Sequence, residues 1–168
     1  MPTLAELNGY TPARFSAAFG PVYEHSPWIA ERAYARRPFA SRADLHLALY
    51  GVVRTASEAE QVALIRAHPE LAGREAQTGA LTDASTREQA QAGLSALTPE
   101  EFADLGRLNA DYAAKFGFPF VICARLNRKD AIFGTLRARL ANTRDQEIAN
   151  AIAQIGEIAR LRLEDLVR

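Results

Sequence analysis

The run from Thr98-Pro99-Glu100-Glu101 to Phe116-Gly117-Phe118-Pro119-Phe120-Val121-Ile122-Cys123-Ala124 decides the fold. Its first four residues form a capping box with proline at the first helical position, which satisfies the free amides of a helix start. Gly117 stands where that helix should end, because glycine accepts the left-handed backbone of a helix stop. The residues beyond it are apolar without helical period, bounded by Gly117 and the polar Arg125-Leu126-Asn127-Arg128. They predict a short, buried, extended segment over 118–124. A solitary strand leaves buried N–H and C=O groups unpaired, at about 1 to 3 kcal/mol each, unless another group bonds them. A polar ligand is one candidate for that group.

The same start signals recur along the chain. Thr11-Pro12 leads into Phe15 and Phe19, Ser26-Pro27-Trp28 into Ile29 and Tyr34, and Ser41 into Leu45, Leu47, Leu49, Val52 and Val53. Ser57-x-x-Glu60 and Thr143-x-x-Gln146 are further capping boxes, and Ser85-x-x-Glu88 is formally another. Small and polar residues from Gly73 to Asp83 read as a loop. The expectation is an all-α protein: one domain over 1–168, a bundle of about eight to nine helices with the single extended segment near 118–124.

Length and charge narrow the function. At 168 residues the chain is long enough for one ordinary core, burying roughly two thirds of its unfolded surface. Twenty basic residues balance twenty acidic ones, which gives no electrostatic footprint for a phosphate backbone, so nucleic acid is not expected as a partner. No apolar run approaches the roughly 18 residues of a membrane helix. A single cysteine, Cys123, and a start lacking a basic segment and an apolar core are those expected of a cytoplasmic protein.

Three polar residues stand out for chemistry. His68 precedes Pro69, which pushes it out of helical geometry and ends the helix begun after Ser57. The partial negative charge at a helix C-terminus favours imidazolium, so that a histidine there can donate and accept protons near neutral pH, which suits general acid-base work and equally suits a plain cap. Glu88 in Ser85-Thr86-Arg87-Glu88-Gln89 reads either as a cap or as a carboxylate that orients His68 while nearby amides grip a polar ligand. Arg162 falls on the apolar stripe Ile148, Ile152, Ile155, Ala159 and Leu166 of the last helix, whereas Arg160 projects from its side. An inward guanidinium needs a partner, for which Glu88 or a ligand carboxylate would serve, or it snorkels to solvent. His25 and His46 make no metal-ligand spacing with His68 or Glu70, so no metal site is expected. Cys123 reads as a buried, inert thiol, and Arg36-Arg37-Pro38 as a solvated helix end.

Taken together, Ala67-His68-Pro69-Glu70-Leu71-Ala72-Gly73, Ser85-x-x-Glu88-Gln89, Phe116-Gly117-Phe118-Pro119-Phe120-Val121-Ile122 and Ile158-x-x-Leu161-Arg162-Leu163 resemble the family of 2-oxo-4-hydroxy-4-carboxy-5-ureidoimidazoline (OHCU) decarboxylases. Leu4-x-x-Leu7-Asn8, Phe15 and Ser26-Pro27-Trp28 extend the resemblance over essentially the whole chain. It implies an all-helical, homodimeric enzyme without a cofactor, which converts a small ureidoimidazoline in urate degradation to (S)-allantoin and carbon dioxide. Carried over by position, His68, Glu88 and Arg162 are catalytic. Pro69, Ser85, Thr86, Arg87 and Gln89, with the backbone of Phe120, Val121, Ile122, Cys123 and Ala124, bind substrate. Cys123 departs mildly from the small aliphatic residue expected there, and the ending Leu166-Val167-Arg168 lacks the peroxisomal tripeptide of some members. Two other classes remain open at this level. One is a helical interaction module in which the three residues are a cap, a capping box and an interface partner; the other is an enzyme of the same scaffold acting on another ureido or imidazoline substrate.

Overall fold

A computed structural model describes all residues, Met1–Arg168, and contains helices without any β-strand. The ten helices are α1 (Leu4–Asn8), α2 (Pro12–Phe19), α3 (Trp28–Ala33), α4 (Arg42–Arg54), α5 (Glu58–Arg66), α6 (Arg74–Thr78), α7 (Asp83–Gln91), α8 (Pro99–Phe116), α9 (Lys129–Arg139) and α10 (Arg144–Leu166). The count exceeds the expected eight to nine because α1 and α6 are single-turn helices of five residues each. α6 also corrects the reading of Gly73 to Asp83 as a plain loop: its glycine caps at both ends enclose one helical turn. The chain forms two compact units, Met1–Ala67 with Ile155–Arg168, and His68–Gln154.

In the unit that contains both termini, the hydroxyl signals work largely as expected. Thr11 caps α2, Ser41 caps α4, and Ser57 with Glu60 closes a reciprocal box on α5. Ser26 does not cap α3; its hydroxyl turns back to donate to the Glu24 carbonyl at 2.9 Å. The core is built on Phe15, whose ring meets Phe19 at 4.7 Å, Tyr34 at 5.6 Å and Phe39 at 5.9 Å between centroids. Rings packed in this way contribute by burial and by about 0.5 to 1.5 kcal/mol per pair beyond it. Leu45, Leu49 and Val53 of α4 are buried beside them, but Leu47 is 63% exposed because it lies on the opposite face of the helix. Arg37 is no solvated helix end. Its guanidinium donates to the carbonyls of Asn8, Tyr10 and Tyr34 at 2.7 to 3.1 Å.

In the His68–Gln154 unit, α8 runs from a Thr98–Glu101 capping box to Gly117, which adopts φ 79° and donates to the Ala113 carbonyl. Leu105, Leu108, Tyr112 and Phe116 bury one face of this helix. Residues 118–123 follow in irregular extended form and are buried except for the half-buried Pro119, and a 3-10 turn spans Ala124–Leu126. Phe118 and Phe120 set their rings against Tyr112, at 6.2 and 5.4 Å. The segment has no neighbouring strand, so side chains take its backbone groups, as described below.

Glu147, near the start of α10, is fully buried in this unit. Its Oε2 accepts from Arg139 Nε at 2.7 Å and from the Tyr112 hydroxyl, and its Oε1 accepts from Asn142 and Asn150 at 2.8 Å each. These four donors fill the acceptor sites of a carboxylate. Burial alone would raise the Glu147 carboxyl, but the bonds from Asn142, Tyr112, Asn150 and Arg139 more than offset it and hold the group below its ordinary value. A lowered folded-state value stabilises the protein above the ordinary carboxylate range and is lost as pH falls through that lowered value. Urea titrations at a series of pH values should therefore give a stability that declines below about pH 5. The Glu147→Gln variant should be about 3 kcal/mol less stable near neutrality, with a shallower acid slope, because Arg139 then stays buried without its counter-charge.

Candidate active site

His68 stands two residues beyond the end of α5, after the C-cap Ala67, and is 7% exposed. The loop that carries it is tightly specified. Asn109 of α8 donates to the Leu71 carbonyl at 3.0 Å, and the Ala72 amide donates to Gln89 Oε1 at 2.9 Å. Ala72 adopts φ 49°, a left-handed backbone that a residue with Cβ takes only when its surroundings require it. Gly73 follows because a Cβ there would lie 2.7 Å from the Glu70 Cβ.

The start of α7 differs from the expected one. Thr82 is the N-cap and accepts from the Ser85 amide at 3.3 Å, so the helix begins one turn earlier than a cap at Ser85 would place it. Ser85 is an inward residue of the first turn, and Glu88 lies in the second turn rather than at the helix start. The shift follows from Thr82-Asp83, a hydroxyl N-cap and a first-turn acid that compete successfully with Ser85. Ser85, Glu88 and Gln89 occupy the i, i+3, i+4 positions of one face and are all buried, while Thr86 and Arg87 are exposed. The Thr86 hydroxyl donates to the Thr82 carbonyl at 3.0 Å. Gln89 has a structural duty in the His68 loop that its spacing did not reveal.

The extended segment is held by three long polar side chains. Arg139 Nη1 donates to the Val121 carbonyl at 2.8 Å, Gln154 Oε1 accepts from the Cys123 amide at 2.9 Å, and Asn127 Nδ2 donates to the Cys123 carbonyl at 3.0 Å. Protein groups thus supply part of the pairing for which a ligand was one candidate. Neither Arg139 nor Gln154 carries a motif, although Arg139 does interrupt the apolar period of α9 with an inward charge. Pro69 is half-buried, and Cys123 is 1% exposed.

In the other unit Arg162 is 6% exposed, on the buried face of α10. It donates through Nη2 to Glu24 Oε1 at 2.8 Å and through Nη1 to the Val22 carbonyl at 3.2 Å. Glu24 is itself 2% exposed and is a partner that sequence spacing did not identify. Leu166, expected on the same stripe, is 38% exposed; Val167 is buried instead, as the helix ends there. Arg160 lies to the side and pairs with Glu157 and Glu164. His46 Nε2 lies 3.0 Å from the Gly156 carbonyl, and His25 sits at a turn with φ 47°.

These elements define an all-helical protein with a buried histidine and buried carboxylates, and comparison with known proteins gives its class. A family model described as OHCU decarboxylase matches residues 8–164. The 2-oxo-4-hydroxy-4-carboxy-5-ureidoimidazoline decarboxylase of Amia calva is 41% identical, over 98% of this chain and 94% of its own length. That of Haloferax volcanii is 40% identical, over 97% of this chain and 95% of its own. Among solved structures, a crystal structure of (S)-allantoin synthase superposes with a TM-score of 0.77 at 26% identity, covering 99% of this chain and 54% of that one. The chain thus spans about half the length of that synthase. OHCU decarboxylase crystallised in the presence of (S)-allantoin shares the fold, with a TM-score of 0.70 at 19% identity. The chain belongs to the OHCU decarboxylase family.

The burial of Cys123 has a direct consequence. Its thiol should resist an aromatic disulfide reagent in the native protein and react fully in guanidinium, since reaction requires access to a thiolate. Rapid native labelling, followed at the released thiolate absorbance, would contradict the buried placement.

Proposed function

We propose that the protein converts 2-oxo-4-hydroxy-4-carboxy-5-ureidoimidazoline to (S)-allantoin and carbon dioxide, with His68, Glu88 and Arg162 as catalytic residues. The observation that carries the proposal is His68 itself: a buried imidazole just beyond a helix C-terminus, in the same unit as the buried carboxylate Glu88. Family membership over nearly the whole chain supports the choice of substrate.

The substrate's carboxylate sits on a ring carbon next to an imine carbon. When the bond to carbon dioxide breaks, its electron pair forms a ring carbon–carbon double bond, and the imine nitrogen takes up a proton. No cofactor is needed as an electron sink. The resulting enol gives up its hydroxyl proton and gains one at the neighbouring carbon, on a single face, to give the (S) product. The protein's part is to hold the ring, strip water from the carboxylate and deliver that proton. His68 moves the proton, because an imidazole titrates in the range where it can both accept and return one. Glu88 fixes the imidazole orientation. Arg162 binds an anionic oxygen of the substrate, and Glu24 holds its fork in plane. Pro69, Ser85, Gln89 and the backbone from Phe120 to Ala124 line the bound ring, and Thr86 and Arg87 complete the set implied by the family pattern. The acting form is a homodimer in the cytoplasm; no helix is long and apolar enough to cross a membrane.

Two experiments test this reading. Urate is converted to the unstable substrate by the preceding enzymes, and optical activity is followed with and without the protein. A fast rise in (S)-allantoin is expected; racemic product at the spontaneous rate would remove the proposal. In the same assay His68→Asn should lower kcat by about a thousandfold with an unchanged circular dichroism spectrum. Arg162→Lys should lower kcat/KM by about tenfold or more, since lysine cannot reproduce a bidentate fork.

A further inference from the structure

The geometry points to Arg139 and Gln154 as positioning residues that aim the peptide groups of Ile122 at the substrate ring. This inference rests on the proposed contact between that ring and the backbone of Phe120 through Ala124. Its basis is the planarity of the peptide bond. The one cis bond in the chain is Arg37–Pro38, so the bonds on either side of Ile122 are trans, and in each the N–H points opposite to the C=O. Arg139 takes the Val121 carbonyl, which turns the Ile122 N–H away from Arg139. Gln154 takes the Cys123 N–H, which turns the Ile122 carbonyl away from Gln154. Arg139 and Gln154 line one cavity of about 390 Å³ together with Ile122, so the two bonding side chains flank this residue. The Ile122 donor thus points away from Arg139 and its acceptor away from Gln154.

Among small ligands, a donor and an acceptor on one residue suit a ring amide or ureide held cis, which presents an N–H and a C=O on the same edge. An imidazolinone ring is of that class. In a sheet the neighbouring strand would fix these directions; here two side chains do so, and each is itself braced. Arg139 is held in plane by the saturated Glu147 carboxylate and lies 4.5 Å over the Phe120 ring, so it clamps two consecutive residues of the segment. Gln154 projects from α10 with one fixed acceptor on the Cys123 amide.

The test separates orientation from folding. Gln154→Leu removes the acceptor beside a cavity rather than in the tightly packed core, and Gln154→Glu keeps an acceptor at the same reach. With the wild-type enzyme as control in the stereochemical assay, Gln154→Leu should raise KM about tenfold with kcat within about twofold, as expected for an interaction equal in ground and transition states. Gln154→Glu should stay close to wild-type KM, and thermal midpoints should be similar throughout. Arg139→Lys, which retains the charge without the fork, should raise KM in the same way; if it does not fold, the Gln154 pair decides alone. An unchanged KM in Gln154→Leu, with the wild type active, would overturn the positioning role and leave the decarboxylase reading standing. An inactive wild type would overturn that reading and this inference together.

Discussion

A helical protein that buries a stretch of non-helical chain must find partners for backbone groups that neither a helix nor a sheet will satisfy. Residues 118–123 impose that requirement here, and much of the His68–Gln154 unit is arranged around it. Arg139, Gln154 and Asn127 bond the segment directly. Glu147 holds Arg139, and Tyr112, Asn142 and Asn150 hold Glu147. Each added layer answers a polar group that the previous one brought into the interior. Breaking one member leaves another unsatisfied, at a cost of about 1 to 3 kcal/mol for a neutral group and more for a charge. Such a network rigidifies what it surrounds, as the proposed contact between this backbone and a ligand requires.

The histidine loop obeys the same rule on a smaller scale. Pro69 stops α5, and the loop carbonyl and amide at Leu71 and Ala72 are then bonded by Asn109 and Gln89. α7 is thereby tied to the loop by the face that also carries Ser85 and Glu88. The placement of His68 depends on α7 and α8 as much as on its own helix. In the terminal unit, Arg162 is kept inward by a buried carboxylate, Glu24, in place of solvent.

Local chemistry was legible in the sequence where it acts between near neighbours. The capping boxes at Ser57, Thr98 and Thr143 formed as read, and Gly117 stopped α8, because each depends on residues within one turn. The non-helical character of 118–123 was also legible, since its apolar run lacked a helical period, although Ala124 opens a 3-10 turn. What failed was competition between adjacent signals. Ser85 and Thr82 can both cap, and Asp83 in the first turn together with the inward packing of Ser85 and Glu88 favours Thr82. Leu47 and Leu166 are apolar yet exposed, because hydrophobicity permits burial without requiring it. Partners distant in sequence were not legible at all: Glu24 for Arg162, Glu147 for Arg139 and Gln154 for Cys123 follow from tertiary packing alone. His68 and Arg162 were prominent for the opposite reason, one at a helix boundary and the other on an apolar stripe, while Glu88 stood out through a capping box at Ser85 that α7 does not form.

The central claim is that the backbone around Ile122 is a fixed, preformed edge for a small ureide ring. Amide-resolved nuclear magnetic resonance with the product as probe tests it most directly. Titration with (S)-allantoin should move the Ile122 amide resonance saturably, with its neighbours from Phe120 to Ala124 responding at the same concentration. Saturable binding that leaves these amides unmoved while others respond would contradict it.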